Sequence, residues 1–466
     1  MFFNLQGIHT APLGMNDFFY GVLVVIMIVL ISSSKKAKLL KTKGNEHYKF
    51  YMWNIYFKMF FALVYGSIYM FYYEGGDTMA YWKGAEKLNN LMWESPINYW
   101  TEMLSSPSAE SIILRFTSET GYPPIWIYSD PGSFFVSKII SVFMAVFGQS
   151  YVVLTLVFGY LTAIASWKVY ELVRFYKITT DWFAAISILF VPSVAFWCAG
   201  ISKDTVVLIS VFYILHLLFG LANKTIDKKL QSLIMIYLFG LVLFQARTFM
   251  LFTVIAPMAV AMTTRFTKRY KDSMIFSNLI RLMIVSLGVL GFLFFLKSQG
   301  EEFAKTTDKY LTEAQLQQSD FANNDSYGDK RYDLGITDYS PFGMLSVAPQ
   351  AIFTAIYRPG LWEARSPLLL ISGLETAVFM YLTLLFLFKG KVSKKIKFIR
   401  YNELLVFSFM FALILAFFAG FTSGLFGVLV RFKAPFLPFL LIIFTTNSKT
   451  IEENFEENPL ELNEAN

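Results

Sequence analysis

Residues 55–81 read IYFKMFFALVYGSIYMFYYEGGDTMAY. The run Ile55–Tyr73 is apolar and long enough to cross a bilayer as a helix. It is followed at once by Glu74-Gly75-Gly76-Asp77-Thr78-Met79-Ala80-Tyr81. Two carboxylates and two glycines therefore stand where a span leaves the membrane. Glycine lets the backbone turn sharply and approach a ligand closely. A carboxylate placed there can act as a general base or orient a substrate hydroxyl.

Composition agrees with that reading. The 466 residues are 56% hydrophobic and 16% charged, with a mean hydropathy of +0.51; an ordinary soluble domain carries about 25% charged residues. Apolar runs recur along the chain at roughly the length that spans a bilayer, which predicts an all-α, polytopic transmembrane helical bundle. The predicted crossings are 17–33, 55–73, 150–166, 182–198, 205–221, 231–246, 249–263, 279–297, 366–388, 402–421 and 424–444, about eleven by the length criterion. Residues 1–16 lack the basic start and small-residue cleavage site of a signal peptide, so Asn16–Ser33 reads as a retained first helix. A single cysteine, Cys198, excludes an internal disulfide, and three histidines leave little for a metal centre. No metal and no cofactor is expected.

The net charge of +7 does not indicate nucleic-acid binding, because most Lys and Arg lie in short loops between apolar runs. Lys35–Lys43, Lys168–Lys177, Lys224–Lys229, Arg265–Lys271 and Lys389–Arg400 all fall on one side if the N-terminus is outside. The positive-inside rule makes that side cytoplasmic. This pattern holds only if Phe134–Phe147 does not cross, so that run reads as an interfacial or re-entrant helix or an extension of the next span. The whole chain then forms one integral membrane domain, 1–466. Segments 74–149 and 298–365 face outside and carry interfacial helices, while 445–466 is an acidic cytoplasmic tail. Such a protein is expected to be a multi-pass membrane protein, with the N-terminus outside and the C-terminus cytoplasmic. No internal repeat is present, which weighs against an inverted-repeat transporter.

Several groups of residues could carry chemistry. Asp77, with Glu74 one turn away and Tyr81 following, is the first, and its structural alternative is a solvated helix end. Pro192–Asp204 links two spans with almost no loop and ends in Lys203-Asp204; these two residues are either the rim of an outward cavity or a pair in the headgroup region. Arg247 sits between two apolar runs. Arg358, Trp362, Glu363 and Arg365 form a cluster, and Arg431 and Lys433 lie within the last span, as does Glu375 in the ninth. Charges at that depth need a cavity or a partner, and Arg431 is a natural partner for Glu375. Lys203, Arg247, Arg358 and Arg431 make a cationic set expected to converge, and guanidinium groups bind phosphate bidentately.

The pattern resembles polytopic glycosyltransferases of the GT-C type and the related bacterial O-antigen or exopolysaccharide polymerases. The resemblance rests on the acidic residue in the first outer segment, on Pro-Ser-x-x-Phe-Trp-x-x-Gly-x-x-Lys-Asp at 192–204, on Arg-Pro-x-Leu-Trp-Glu at 358–363, and on the basic last span. It implies a hexosyl transfer from a polyprenyl-linked sugar or oligosaccharide among membrane lipids. Asp77 and Glu74 would be the catalytic carboxylates, and Lys203, Arg247, Arg358 and Arg431 would hold the donor phosphate. Tyr81, Asp204, Trp362 and Glu363 would bind substrate. The chain lacks the separate C-terminal soluble domain of the larger GT-C enzymes. A lipid-linked glycan flippase or other transporter, working in the same cavity without chemistry, is the alternative; a membrane-bound acyltransferase would need a catalytic histidine, for which His216 is the one intramembrane choice.

Overall fold

The computed structural model describes residues 13–43, 48–267, 331–335 and 346–446, with isolated positions at 279, 283 and 343. The predicted crossing 279–297, the polar stretch at 298–330 and nearly all of the acidic tail lie outside the described residues. Within them the chain is helical, and the one β-type contact is an isolated bridge between Arg331 and Leu425. It folds as two compact units, 1–172 with 188–251, and 173–187 with 252–466.

The first unit begins with α1 (Met15–Lys43) and α2 (Lys49–Ser67). The last turn of α2 widens into a π-helical segment, Ile68–Tyr72, a distortion common at functional sites. The turn that follows needs its glycine. Gly76 has φ +89°, and a Cβ there would stand 2.9 Å from the Tyr69 ring. The chain then re-enters a helix at Asp77, whose carboxylate faces the positive end of α3 (Asp77–Glu94).

Segment 74–149 is a helical assembly in its own right. After α3 come α4 (Pro96–Leu104), α5 (Ala109–Arg115), α6 (Ile125–Tyr128) and α7 (Pro131–Phe147). Helices α3 and α7 pack closely because Gly84 admits Ser137, whose Oγ lies 2.6 Å from where a Cβ would be. Their shared core includes Met79, Tyr81, Leu88, Phe134 and Ile140. A buried polar knot fastens the short helices to it. Glu102 is fully buried, pairs with Arg115 at 2.5 Å and accepts from the Tyr128 hydroxyl at 3.0 Å. Burial beside that carboxylate pushes the Tyr128 phenol up to about 12. Lys138 donates to the Ser105 carbonyl at 2.7 Å.

Helices α8 (Tyr151–Phe175), α9 (Asp181–Leu189), α10 (Pro192–Trp197), α11 (Lys203–Ala222), α12 (Lys229–Ala246) and α13 (Thr248–Thr267) follow. The expected single helix at 182–198 is broken between α9 and α10. Pro192 offers no N–H, and the residue before it, Val191, is extended at φ −74°, ψ 117°. Residues 190–197 nevertheless run along α2. Phe190 packs on Phe50 and Phe57 near its start, and Phe196 and Trp197 pack on Tyr65 near its end.

In the second unit, which also takes in most of α9 and of α13, the later described helices are α14 (Ala348–Tyr357), α15 (Pro367–Phe388), α16 (Val392–Tyr401), α17 (Glu403–Ser423), α18 (Phe426–Lys433) and α19 (Leu437–Phe444). Asn402 caps α17 by accepting from Leu404 and Leu405 N–H at 3.1 and 3.2 Å. Gly420 of α17 lets the Ala351 backbone of α14 lie directly against it. The predicted crossing 424–444 is α18 and α19, bent by 66°.

Eight described helices are long and apolar enough to cross a membrane, or nine if the bent pair is one span. The expectation of about eleven differs from this at 182–198, which is broken, and at 279–297, outside the described residues. Helix α7, over the run Phe134–Phe147 expected to be interfacial or re-entrant, is a shorter apolar helix of 17 residues.

Candidate functional site

One end of the first unit gathers most of the residues singled out there. The Tyr65–Tyr69 end of α2 is the reference. Gly76, one residue before Asp77, rests on Tyr69, and Gly200 rests on the Tyr65 ring so closely that no Cβ would fit. Thr78 shares a 3.0 Å hydrogen bond with Tyr151, and that phenol lies beside Gly66. Asp77 and the Gly200–Asp204 turn therefore lie at the same end of α2.

The turn is held rigidly. Ser202 caps α11, accepting from the Thr205 N–H at 3.0 Å, and its hydroxyl donates to the Trp197 carbonyl at 3.1 Å. Thr205 donates back to the Gly200 carbonyl at 2.6 Å. These bonds aim the next two side chains in different directions. Lys203 reaches Asp130 at 3.3 Å and Ser133 at 3.4 Å. Asp204 is 1% exposed and pairs with Arg247 at 2.7 Å.

Asp130 caps α7, accepting from the Gly132 N–H at 3.0 Å and from the Ser133 hydroxyl at 2.5 Å. Burial alone would raise its carboxyl; the Lys203 charge and these hydrogen bonds outweigh that and hold it below the usual carboxylate range. Gly132 brings the start of α7 against the last carbonyls of α12: a Cβ there would lie 2.9 Å from both the Ala246 oxygen and the Lys203 ammonium. Arg247 terminates α12. Two helix starts and one helix end thus present two cations and two carboxylates in one cluster, its charges paired Lys203 with Asp130 and Arg247 with Asp204. Their side-chain exposures are unequal: 15% for Lys203, 13% for Arg247, 1% for Asp204 and 52% for Asp130.

This arrangement changes what the cations can do. The set was expected to be cationic; locally it is neutralised. Asp130 is the exposed member of its pair and Asp204 the buried member of the other. Asp130 was not singled out in the sequence, although Ser129-Asp130-Pro131-Gly132 carries a helix-start signal, a capping acid before proline.

The other expected residues are placed as follows. Asp77 is half-buried on the first turn of α3, and Glu74 is exposed in a left-handed conformation, φ 50°. Tyr81 is 2% exposed and belongs to the core between α3 and α7. Arg358 and Arg431 belong to the second unit, Lys203 and Arg247 to the first, so the four cations fall into two groups. In the second unit Arg358 forms an ion pair with Glu363, with a further bond from Nε at 2.9 Å. Its guanidinium lies 5.4 Å from the Tyr332 ring and 5.0 Å from that of Phe426. Burial works to raise the Glu363 carboxyl, and Arg358 with the Gly360 N–H holds it below the usual range instead. Trp362 is 77% exposed.

Lys433 is buried and donates to Thr376 at 3.0 Å and to the Arg358 carbonyl at 3.4 Å. The acid whose charge acts on Lys433 is Glu375. Arg431 is half-buried on α18; the bend after that helix removes the straight-span geometry on which its expected depth rested. No protein-family model, curated protein or solved structure matches this chain, so the chemistry of the site rests on its own side chains.

Proposed function

We propose that the protein is a membrane glycosyltransferase of the hexosyl-transferring kind, or a polysaccharide polymerase. Its donor is a sugar or oligosaccharide on a polyprenyl phosphate or pyrophosphate, used at the extracytoplasmic face of a bacterial inner membrane in cell-surface glycan synthesis. The observation that carries this reading is the clustering of Lys203, Arg247, Asp130 and Asp204 at the end of the first unit where Asp77 also lies. In this reading the Lys203 ammonium and Arg247 guanidinium stabilise charge on the departing phosphate oxygen. Asp77 takes the proton from the acceptor hydroxyl as its oxygen bonds to the anomeric carbon and the bond to phosphate breaks.

The N-terminus is outside and the C-terminus cytoplasmic in this proposal, and 182–198 counts as a crossing in spite of its break, because residues 190–197 follow α2 from Phe50 to Tyr65. The sequence expectation of a further crossing at 279–297 lies outside the described residues. Labelling tests the topology: Glu119→Cys should react with an impermeant maleimide from outside, and Lys391→Cys only after the membrane is opened. Cys198 is buried and stays silent. The function is tested in a deletion strain by analysing membrane lipids and surface glycans. An accumulating lipid-linked repeat unit indicates a polymerase and a truncated glycan a single-sugar transferase. Unchanged lipids and glycans refute the proposal.

A further inference from the structure

Lys58 lies near the middle of α2, inside an apolar span, and is 0% exposed. Its ammonium has no hydrogen-bond partner among the described residues, and the ring nearest it, Phe57, is 5.9 Å away. A charge in such a place is costly and marks a site of function. Lys58 is also not isolated. Buried polar atoms without a hydrogen-bond partner among the described residues recur along the same seam: the Tyr51 hydroxyl, the Asn54 side-chain carbonyl and the Ser166 hydroxyl. Tyr51, Asn54 and Lys58 are spaced three and four apart, so they share one face of α2.

That face meets α8. Asn54 donates to the Ala163 carbonyl at 2.8 Å, and Gly159 brings α8 against the Lys58 backbone, a Cβ there lying 3.2 Å from its carbonyl. Farther along, Gly66 lies against Tyr151 and Thr155, and Tyr151 bonds to Thr78 at 3.0 Å. The helices run antiparallel, so the polar groups line up in order along the seam. Tyr51 and Ser166 stand toward the Lys49 end, Asn54 comes next, Lys58 is near the middle, and Thr155, Tyr151 and Thr78 lie toward the Asp77 end. At 1.5 Å per residue, the distance along α2 from Tyr51 to Tyr69 is about 27 Å, close to the roughly 30 Å of a bilayer core.

Buried polar atoms that lack protein partners are the places where structured water sits. The geometry distinguishes water from an anion. The Asn54 amide N–H is already used on Ala163, leaving its carbonyl free, and a carbonyl repels an anion. Hydroxyls and an amine that both donate and accept can instead pass protons through water. We propose that the α2–α8 seam is a proton path through the first unit, with Lys58 as its protonation site. Its ammonium gives a proton to water on one side and the resulting amine takes one from water on the other. The titratable group bearing on Lys58 is Cys198, beyond α10. Its own helix adds Tyr51, Tyr65 and Tyr69. On α8 stand Tyr151 and Tyr160 toward one end and Lys168, Tyr170 and Glu171 toward the other, and α1 carries Lys35 and Lys36. This proposal is independent of the glycosyl-transfer reading.

The test uses the full chain in liposomes holding a pH-sensitive dye, with a potassium gradient and valinomycin to drive proton entry. Wild type should admit protons well above protein-free vesicles. Lys58→Met should lower that flux by roughly 10²-fold or more, the usual cost of removing a positioned acid–base group. Phe60→Leu, at a lipid-facing residue 61% exposed on the same helix, should leave it unchanged. Should Lys58→Met fail to reconstitute, Tyr51→Phe and Ser166→Ala remove single oxygen atoms from the seam, and each should slow the flux severalfold. Wild-type flux equal to that of protein-free vesicles overturns the proposal. So does wild-type flux in Lys58→Met, or in both hydroxyl deletions.

Discussion

Replacing Arg247 by Met strands the Asp204 carboxylate, which is 1% exposed, with its nearest countercharge gone. At 2.7 Å and an effective dielectric of about 20, two unit charges attract by roughly 6 kcal/mol before desolvation is subtracted. Removing one member of a buried pair typically costs about 3–5 kcal/mol, because the remaining charge is left in a low-dielectric site. For a unit of this size each kcal/mol moves the melting temperature by about 2–4 °C, so Arg247→Met should lower it by roughly 6–20 °C. The double variant Arg247→Met/Asp204→Leu removes both charges, and most of the loss should return. Thermal unfolding of wild type, Arg247→Met, Asp204→Leu and the double variant in one detergent measures the coupling. Glycan product per unit of inserted protein then separates packing from chemistry. If Arg247 also holds the donor phosphate, the double variant regains stability and stays inactive. A melting temperature for Arg247→Met within about 1 °C of wild type, far below the cost expected of a broken buried pair, refutes the reasoning.

Asp77→Asn retains size and much of the hydrogen bonding yet cannot accept a proton, so product formation should fall by roughly 10²–10⁴-fold at an unchanged protein level, with Glu74→Gln milder; near-normal product from Asp77→Asn would remove Asp77 as the base. Gly420→Val places side-chain atoms against the Ala351 backbone, and overpacking of this kind should cost about 1–3 kcal/mol, read as a lower melting temperature that Gly427→Val, at a glycine with open space around it, does not reproduce. The Asp130 carboxyl is held below its ordinary value in the folded protein. Its contribution is therefore complete above the unfolded value of about 3.9 and is lost as pH falls through the lower folded value. Melting temperatures of wild type and Asp130→Asn should accordingly differ at neutral pH and converge in acid; a difference that grows in acid would contradict the assignment.

Much of the architecture is legible in the amino-acid order because a membrane span is a local property. Length and hydropathy suffice to pick out candidates, and so Ile55–Tyr73 and the ninth and tenth crossings return as long apolar helices and Phe134–Phe147 as a shorter one. The same averaging hid Lys58: one ammonium among eighteen apolar or weakly polar neighbours barely changes the hydropathy of Ile55–Tyr73, and nothing local says that its face of α2 meets α8. The break at Pro192 shows the limit of the criterion from the other side. Its composition is that of a span, but a missing N–H and an extended Val191 end the helix.

Side-chain pairing belongs to the tertiary structure. Lys203, Asp204 and Arg247 were each visible as charges at span ends, and so was Asp77 at the exit of α2. Which acid answers which cation was not visible. Asp130 is seventy-three positions from Lys203, and the two meet at 3.3 Å because glycine at 132 lets α7 start against the end of α12. The sequence determined which stretches are apolar enough to enter a membrane and where charge would appear at their ends. Only packing decided that those charges neutralise one another in pairs, because Coulomb energy depends on distance in space and chain separation places no bound on it.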